Sequence, residues 1–201
     1  AQAPRLALSG VMADAELLFD LARRGKLDEV RSILDAGVAA DGYFAYDGSS
    51  PMTMAARCGH VAVVELLLSR NASLDVHTDD GSSVLMQAVS GGNAAAVRLL
   101  LNAQANPNEQ NEDDMVPLAL ASEYGHLEVS RALVESKADI NVSVPEWGSA
   151  LDIATESGHQ AVVEYLRSVG VPSGEQQSAG DRKMAAGEKW GYDAFDGEED
   201  H

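Results

Sequence analysis

Cysteine is almost absent from this chain: 201 residues contain one, Cys58. A single thiol forms no internal disulfide, so a small secreted scaffold held by disulfides is excluded and an intracellular, reducing compartment is expected, cytoplasmic first, with an organelle matrix (chloroplast or mitochondrion) as the alternative. Aromatic residues are scarce at 5% against 45% apolar overall, leaving Ala, Leu and Val to carry the packing and favouring slim helices at close approach. Positive charge is short as well: 14 Lys and Arg face 32 Asp and Glu, a formal net charge of −18. Nucleic acid and anionic membrane would be repelled, so neither is expected as a partner. No apolar run approaches the roughly 18 residues of a membrane span, and no membrane insertion is expected. There is no GxxxxGK[ST] or GxGxxG phosphate loop, hence no expected cofactor, small-molecule substrate or catalysis. The first residue is Ala rather than Met, which fits a mature end left by a removed targeting peptide or an arbitrary boundary.

What the chain has is a period. Gly59, Gly92, Gly125 and Gly158 lie 33 residues apart, and His60, His126 and His159 follow three of them, with Asn93 in the remaining slot. Before each glycine lies a short apolar stretch opened by a helix-start signal such as Ser50-Pro51. After it lies a longer one, as in HVAVVELLLSRN. Superposing the units aligns Ala55, Ala88, Ala121 and Ala154 in one column, Val63, Ala96, Val129 and Val162 in a second, and Leu67, Leu100, Leu133 and Leu166 in a third. An earlier helix pair, from Asp14, carries the stripes Leu17, Leu18, Leu21 and Val30, Ile33, Leu34, closed by Gly25 and Gly37.

No unit of this kind buries both its faces alone, so neighbours must share apolar seams. In the first unit Asp20, Glu29 and Ser32 stand where the next has Met54, Val63 and Leu66. In the last, Arg167 stands where others have Leu68, Leu101 and Val134. Polar substitutions at the two ends mark capping units. The expected organisation is an N-terminal arm (1–13), an array (14–171) of units at 14–44, 45–77, 78–110, 111–143 and 144–171, and a Ser/Gln/Gly-rich linker with an acidic–aromatic tail (172–201). The first interval, Gly25 to Gly59, is 34, which places one extra residue near Phe44.

The degraded T-P-L-H-x-A segments SPMTMA, SVLMQA, VPLALA and SALDIA, with GHVAVV, GHLEVS, GHQAVV and KADIN in phase, resemble the ankyrin repeat family. The resemblance implies an all-α ankyrin-repeat solenoid of about five helix-turn-helix units joined by finger loops, acting as a non-enzymatic protein-binding module. The motif histidine is missing, its slot holding Thr53, Met86, Ala119 and Asp152. Asn71, Gln104 and Lys137 replace the glycine that ends the second helix. If left-handed, Gln104 and Lys137 each cost about 1–2 kcal/mol.

Carried over by position, the partner-binding surface comprises Tyr43, Phe44, Tyr46, Asp47 and Arg57, then Asp79 and Asp80, then Glu112, Asp113, Met115, Glu123 and Tyr124, then Glu146 and Trp147. Successive tips are acidic, and aromatics flank the row at both ends. With units about 8–10 Å apart, near the Debye length of about 8 Å, mutual repulsion is modest while the summed field attracts a basic segment. That same separation rules out a zinc site built from the repeated histidines, since zinc needs its ligands at about 2 Å. The tips also lack a calcium loop's ligand spacing. Cys58-Gly59-His60 has no orienting third group and reads as scaffold. Trp190, Tyr192 and Phe195 within the tail suggest a second docking motif, binding a partner or folding back on the array. The expected function is adaptor or scaffold for a basic protein segment, the alternatives being a chaperone or escort of a basic client and an accessory subunit of a larger complex.

Overall fold

The computed structural model describes residues 5–173, side chains being described from residue 14 onward. Among the described residues, ten helices run as five antiparallel pairs: α1 Arg5–Arg23 and α2 Leu27–Asp35, α3 Pro51–Arg57 and α4 Val61–Ser69, α5 Val84–Ser90 and α6 Ala94–Asn102, α7 Pro117–Glu123 and α8 Leu127–Glu135, α9 Ala150–Glu156 and α10 Gln160–Ser168. The first helices stack on one another in chain order and the second helices do the same, so each unit meets its neighbours through both layers. The all-α repeat solenoid expected from the sequence is the observed fold. One short antiparallel hairpin, β1 Ser143–Val144 with β2 Gly148–Ser149, is added to it between α8 and α9.

The three aligned columns form the core. The alanine column and the leucine column are 0% exposed throughout, and the valine column is at most 1% exposed. Small residues on the first helices let adjacent units approach, while Leu and Val on the second helices supply the buried area, about 1.5–3 kcal/mol for each such large side chain. At the ends, Glu29, Ser32 and Arg167 are exposed, as capping positions require.

Local chemistry explains the helix starts. Ser50 accepts the Thr53 amide on its hydroxyl (3.2 Å) while Thr53 Oγ1 accepts the Ser50 amide (2.7 Å), a reciprocal cap. Asp152 does the same for Ser149. Two of the four slots left without the motif histidine thus carry a side chain that closes a reciprocal cap. The other two, Met86 and Ala119, are simply buried at 0% and 1%.

Two expectations fail. The first helix begins at Arg5, not near Asp14, so residues 5–13 continue α1 rather than forming a loose arm. Leu17, assigned to the buried stripe, is 47% exposed, because the inward stripe of α1 runs through Ala15, Leu18 and Ala22 instead.

Candidate functional site

The finger loops between helix pairs are the surface on which binding residues were expected, and backbone hydrogen bonds lock three of them together. The first finger turns tightly, with Ala45 N–H donating to Ser49 O (2.7 Å) and Gly48 N–H to Ala45 O (3.0 Å). Asp79 of the second donates its amide to Asp47 O (2.9 Å), and Glu112 of the third donates to Asp80 O (3.0 Å). Side chains tighten the same tips. Asp47 Oδ1 accepts the Ser49 amide (3.0 Å), Asp80 accepts Ser82 N–H (3.1 Å) and the Ser82 hydroxyl (2.8 Å), and Asn111 Oδ1 accepts the Asp113 and Met115 amides (3.1 and 2.9 Å). These are local turns of the kind short polar side chains favour. Asp47, Asp79, Glu112 and Asp113 are consequently exposed in sequence along one edge, with Asp80 half-buried among them.

The fourth finger is built differently. It is the β1–β2 hairpin, with Trp147 N–H bonded to Val144 O (3.2 Å) and Pro145 O (2.8 Å) and with Glu146 in the left-handed region at φ 65°. Glu146 is exposed, but Trp147 is half-buried and packed against the core rather than displayed. Met115 is 7% exposed and belongs to the core, so it offers nothing to a partner. The left-handed position of the third finger falls on Asp114 (φ 58°), and the next residue enters the core. Among the described fingers, exposed aromatics are therefore found on the first. Tyr46 is fully exposed and Phe44 is 52% exposed, while Tyr43 is half-buried with its ring 5.4 Å from that of Phe19.

The short first helices contribute a second group. Arg57, Glu123 and Tyr124 are half-buried at helix ends. Burial raises the Glu123 carboxyl above its ordinary value. Burial also raises the Tyr124 phenol, assisted by the negative charges of Glu123 and Asp80 and opposed by Arg57. Arg57, Asp80, Glu123 and Tyr124, drawn from three successive units, thus share one electrostatic neighbourhood. All four were expected on the partner-binding surface from the sequence; Phe19, whose ring supports Tyr43 of the first finger, was not.

The repeated histidines hold units together. His60 Nε2 lies 2.9 Å from Arg23 O, His159 Nε2 2.8 Å from Glu123 O, and His126 Nε2 3.4 Å from Ser90 O. A carbonyl only accepts, so each Nε2 carries the proton. Asn93 serves instead through Nδ2 to Gly59 O (3.3 Å), its Oδ1 also accepting the Ala96 amide (3.0 Å). The His60 ring is turned to the preceding unit, its Nδ1 over Gly25 and its Nε2 donating to the Arg23 carbonyl. Partial burial pushes the exposed Cys58's thiol up, against the lowering effect of Arg57 and Arg23. That is opposite to the depressed value of an activated nucleophile. Among the described residues no group of three or more His, Cys, Asp or Glu converges as a metal cage, and no helix is long and apolar enough to cross a membrane. Trp190, Tyr192 and Phe195 lie outside the described residues.

A single ankyrin repeat profile matches residues 47–79, and a profile of ankyrin repeats in three copies matches residues 85–175. No curated protein matches the chain. Ankyrin repeats are generally protein–protein interaction modules and typically non-enzymatic. The paired helices, the shared seams and the two profile matches across more than half the sequence make the chain a member of the ankyrin repeat family.

Proposed function

We propose that the array is an adaptor that grips a basic protein segment along its finger edge. The observation that carries this reading is the run of exposed carboxylates Asp47, Asp79, Glu112 and Asp113 on tips joined by peptide hydrogen bonds, which present a negative field without needing to reorganise. The surplus of acid over base in the whole chain acts in the same sense and also suits an escort for a basic client, the second reading. Trp190, Tyr192 and Phe195 supply a further docking motif in this proposal, on sequence grounds.

The test is charge reversal. Isothermal titration of a lysine-rich peptide into the full chain should show affinity falling steeply with salt. Asp79→Lys with Glu112→Lys should weaken that binding and flatten its salt dependence. Undiminished affinity in the double variant would remove the acidic edge from the proposal. Between the two readings, an escort should release its client almost completely at moderate salt, whereas an adaptor with apolar anchors should retain it.

A further inference from the structure

The exposed ring of Tyr46 sits at the apex of the first finger, where the turn closed by Ala45 N–Ser49 O (2.7 Å) and Gly48 N–Ala45 O (3.0 Å) holds its backbone. Tyr46 is wholly in water, and Phe44, two residues before it on the same finger, is 52% exposed, so one tip carries two exposed aromatic residues. Two carboxylates belong to the same tip. Asp47 is the next residue, fixed by the Ser49 amide. Asp79 reaches in from the second finger, its Oδ1 only 3.0 Å from where a Cβ on Gly48 would stand. An aromatic face on a tip with two carboxylates favours a cation that can also stack over an acidic occupant.

We propose that the Phe44–Tyr46 patch is an arginine-selective anchor: a partner guanidinium lies flat on the Tyr46 ring with its N–H edges toward Asp47 and Asp79. The chemistry distinguishes arginine from lysine. A guanidinium is planar, weakly hydrated and able to stack while still donating in its plane, whereas an ammonium keeps its water and offers no flat face. The turn is already formed, so little ordering is needed on capture. This inference rests on the acidic-edge reading above but adds what that reading lacks, a side-chain preference and a fixed end for the bound segment.

The experiment uses the full chain and two labelled probes of equal charge, octa-arginine and octa-lysine, titrated by fluorescence anisotropy at low ionic strength. Octa-arginine should bind about two- to fivefold more tightly. Tyr46→Ala should abolish that preference by weakening octa-arginine more than octa-lysine, and Tyr46→Phe should keep it. Equal binding of both peptides, or a preference that survives Tyr46→Ala, overturns the arginine anchor yet leaves the acidic edge standing. If neither peptide binds, or if charge reversal at Asp79 and Glu112 changes nothing, the acidic edge falls and the anchor with it. Self-association lost in Tyr46→Ala would assign the patch to a second copy of the chain, overturning the proposal by another route. Tyr46 touches no core residue through its ring, so its substitution is read against unchanged unfolding curves.

Discussion

His159 rests on Gly125. Its Nδ1 stands 2.4 Å from where a Cβ on that glycine would lie, while its Nε2 is bonded to the carbonyl of Glu123 at 2.8 Å. The same arrangement joins His60 to Gly25 and His126 to Gly92, with Asn93 taking the part at Gly59. Each unit is thereby seated on the turn of the one before it, by a ring or amide that fills the space a side chain would need.

A differential stability measurement follows from this contact. Gly125 and Gly158 share nearly the same backbone, φ 74° and 77°, but no described residue lies within 4 Å of the Cβ position at Gly158. Gly158→Ala should cost only the left-handed strain, about 1–2 kcal/mol. Gly125→Ala adds eviction of the imidazole and loss of its hydrogen bond, about 1–3 kcal/mol more. Urea unfolding of the two variants should show that ordering, and equal losses would mean the histidine yields freely.

Gln104 and Lys137 hold φ 71° and 65° at the ends of α6 and α8, where a side chain is strained. Gln104→Gly and Lys137→Gly should each raise the unfolding free energy by about 1 kcal/mol, the relief of strain being partly offset by the freer unfolded chain. The two sites are a full unit apart and should add. A loss of stability in either would show that its side chain makes a compensating contact.

The raised carboxyl of Glu123 has a pH signature. A group whose folded value lies above its unfolded one favours the folded state fully below the unfolded value, here 4.5, and that favour is lost as pH rises through the folded value. At neutral pH the charged carboxylate therefore weakens the fold. Glu123→Gln should raise the urea midpoint at pH 7 and raise it less at pH 4. An equal effect at both would assign the change to something other than ionisation.

Cys58 should alkylate slowly. With its thiol raised by burial, the thiolate fraction at neutral pH is below that of a free cysteine. Its iodoacetamide rate should fall below that of a cysteine-containing peptide of the same local sequence, and a faster rate would reopen the nucleophile reading.

Much of this was legible in the residues, and the exceptions share a cause. The Ala, Val and Leu columns repeat at a fixed interval, so their burial follows from superposition alone, and so does the left-handed turn inherited by Asn71, Gln104 and Lys137. Met115 and Trp147 misled because finger positions are decided by a single backbone torsion. Asp114 takes the left-handed turn that Gly48 and Gly81 take in earlier fingers, and Glu146 takes one ahead of Gly148 (φ 82°), which itself lies one place later than that series. Positive φ at Asp or Glu has no strong residue signature, unlike glycine. The tip-to-tip bonds from Asp79 to Asp47 and from Glu112 to Asp80 were equally invisible, since peptide groups carry no side-chain identity.

Among the described residues the place over Gly158 is open, although its φ of 77° matches the turns that seat His126 and His159. The backbone there is still shaped to receive another imidazole; only the outward residues of α10, Arg167 foremost, turn from grease to charge. The docking turn thus recurs in the fifth unit, while polar Arg167 of α10 stands where earlier units carry Leu68, Leu101 and Val134. Inserting a sixth unit after Val171, with Arg167→Leu to restore the seam, would reuse a docking point the molecule already carries.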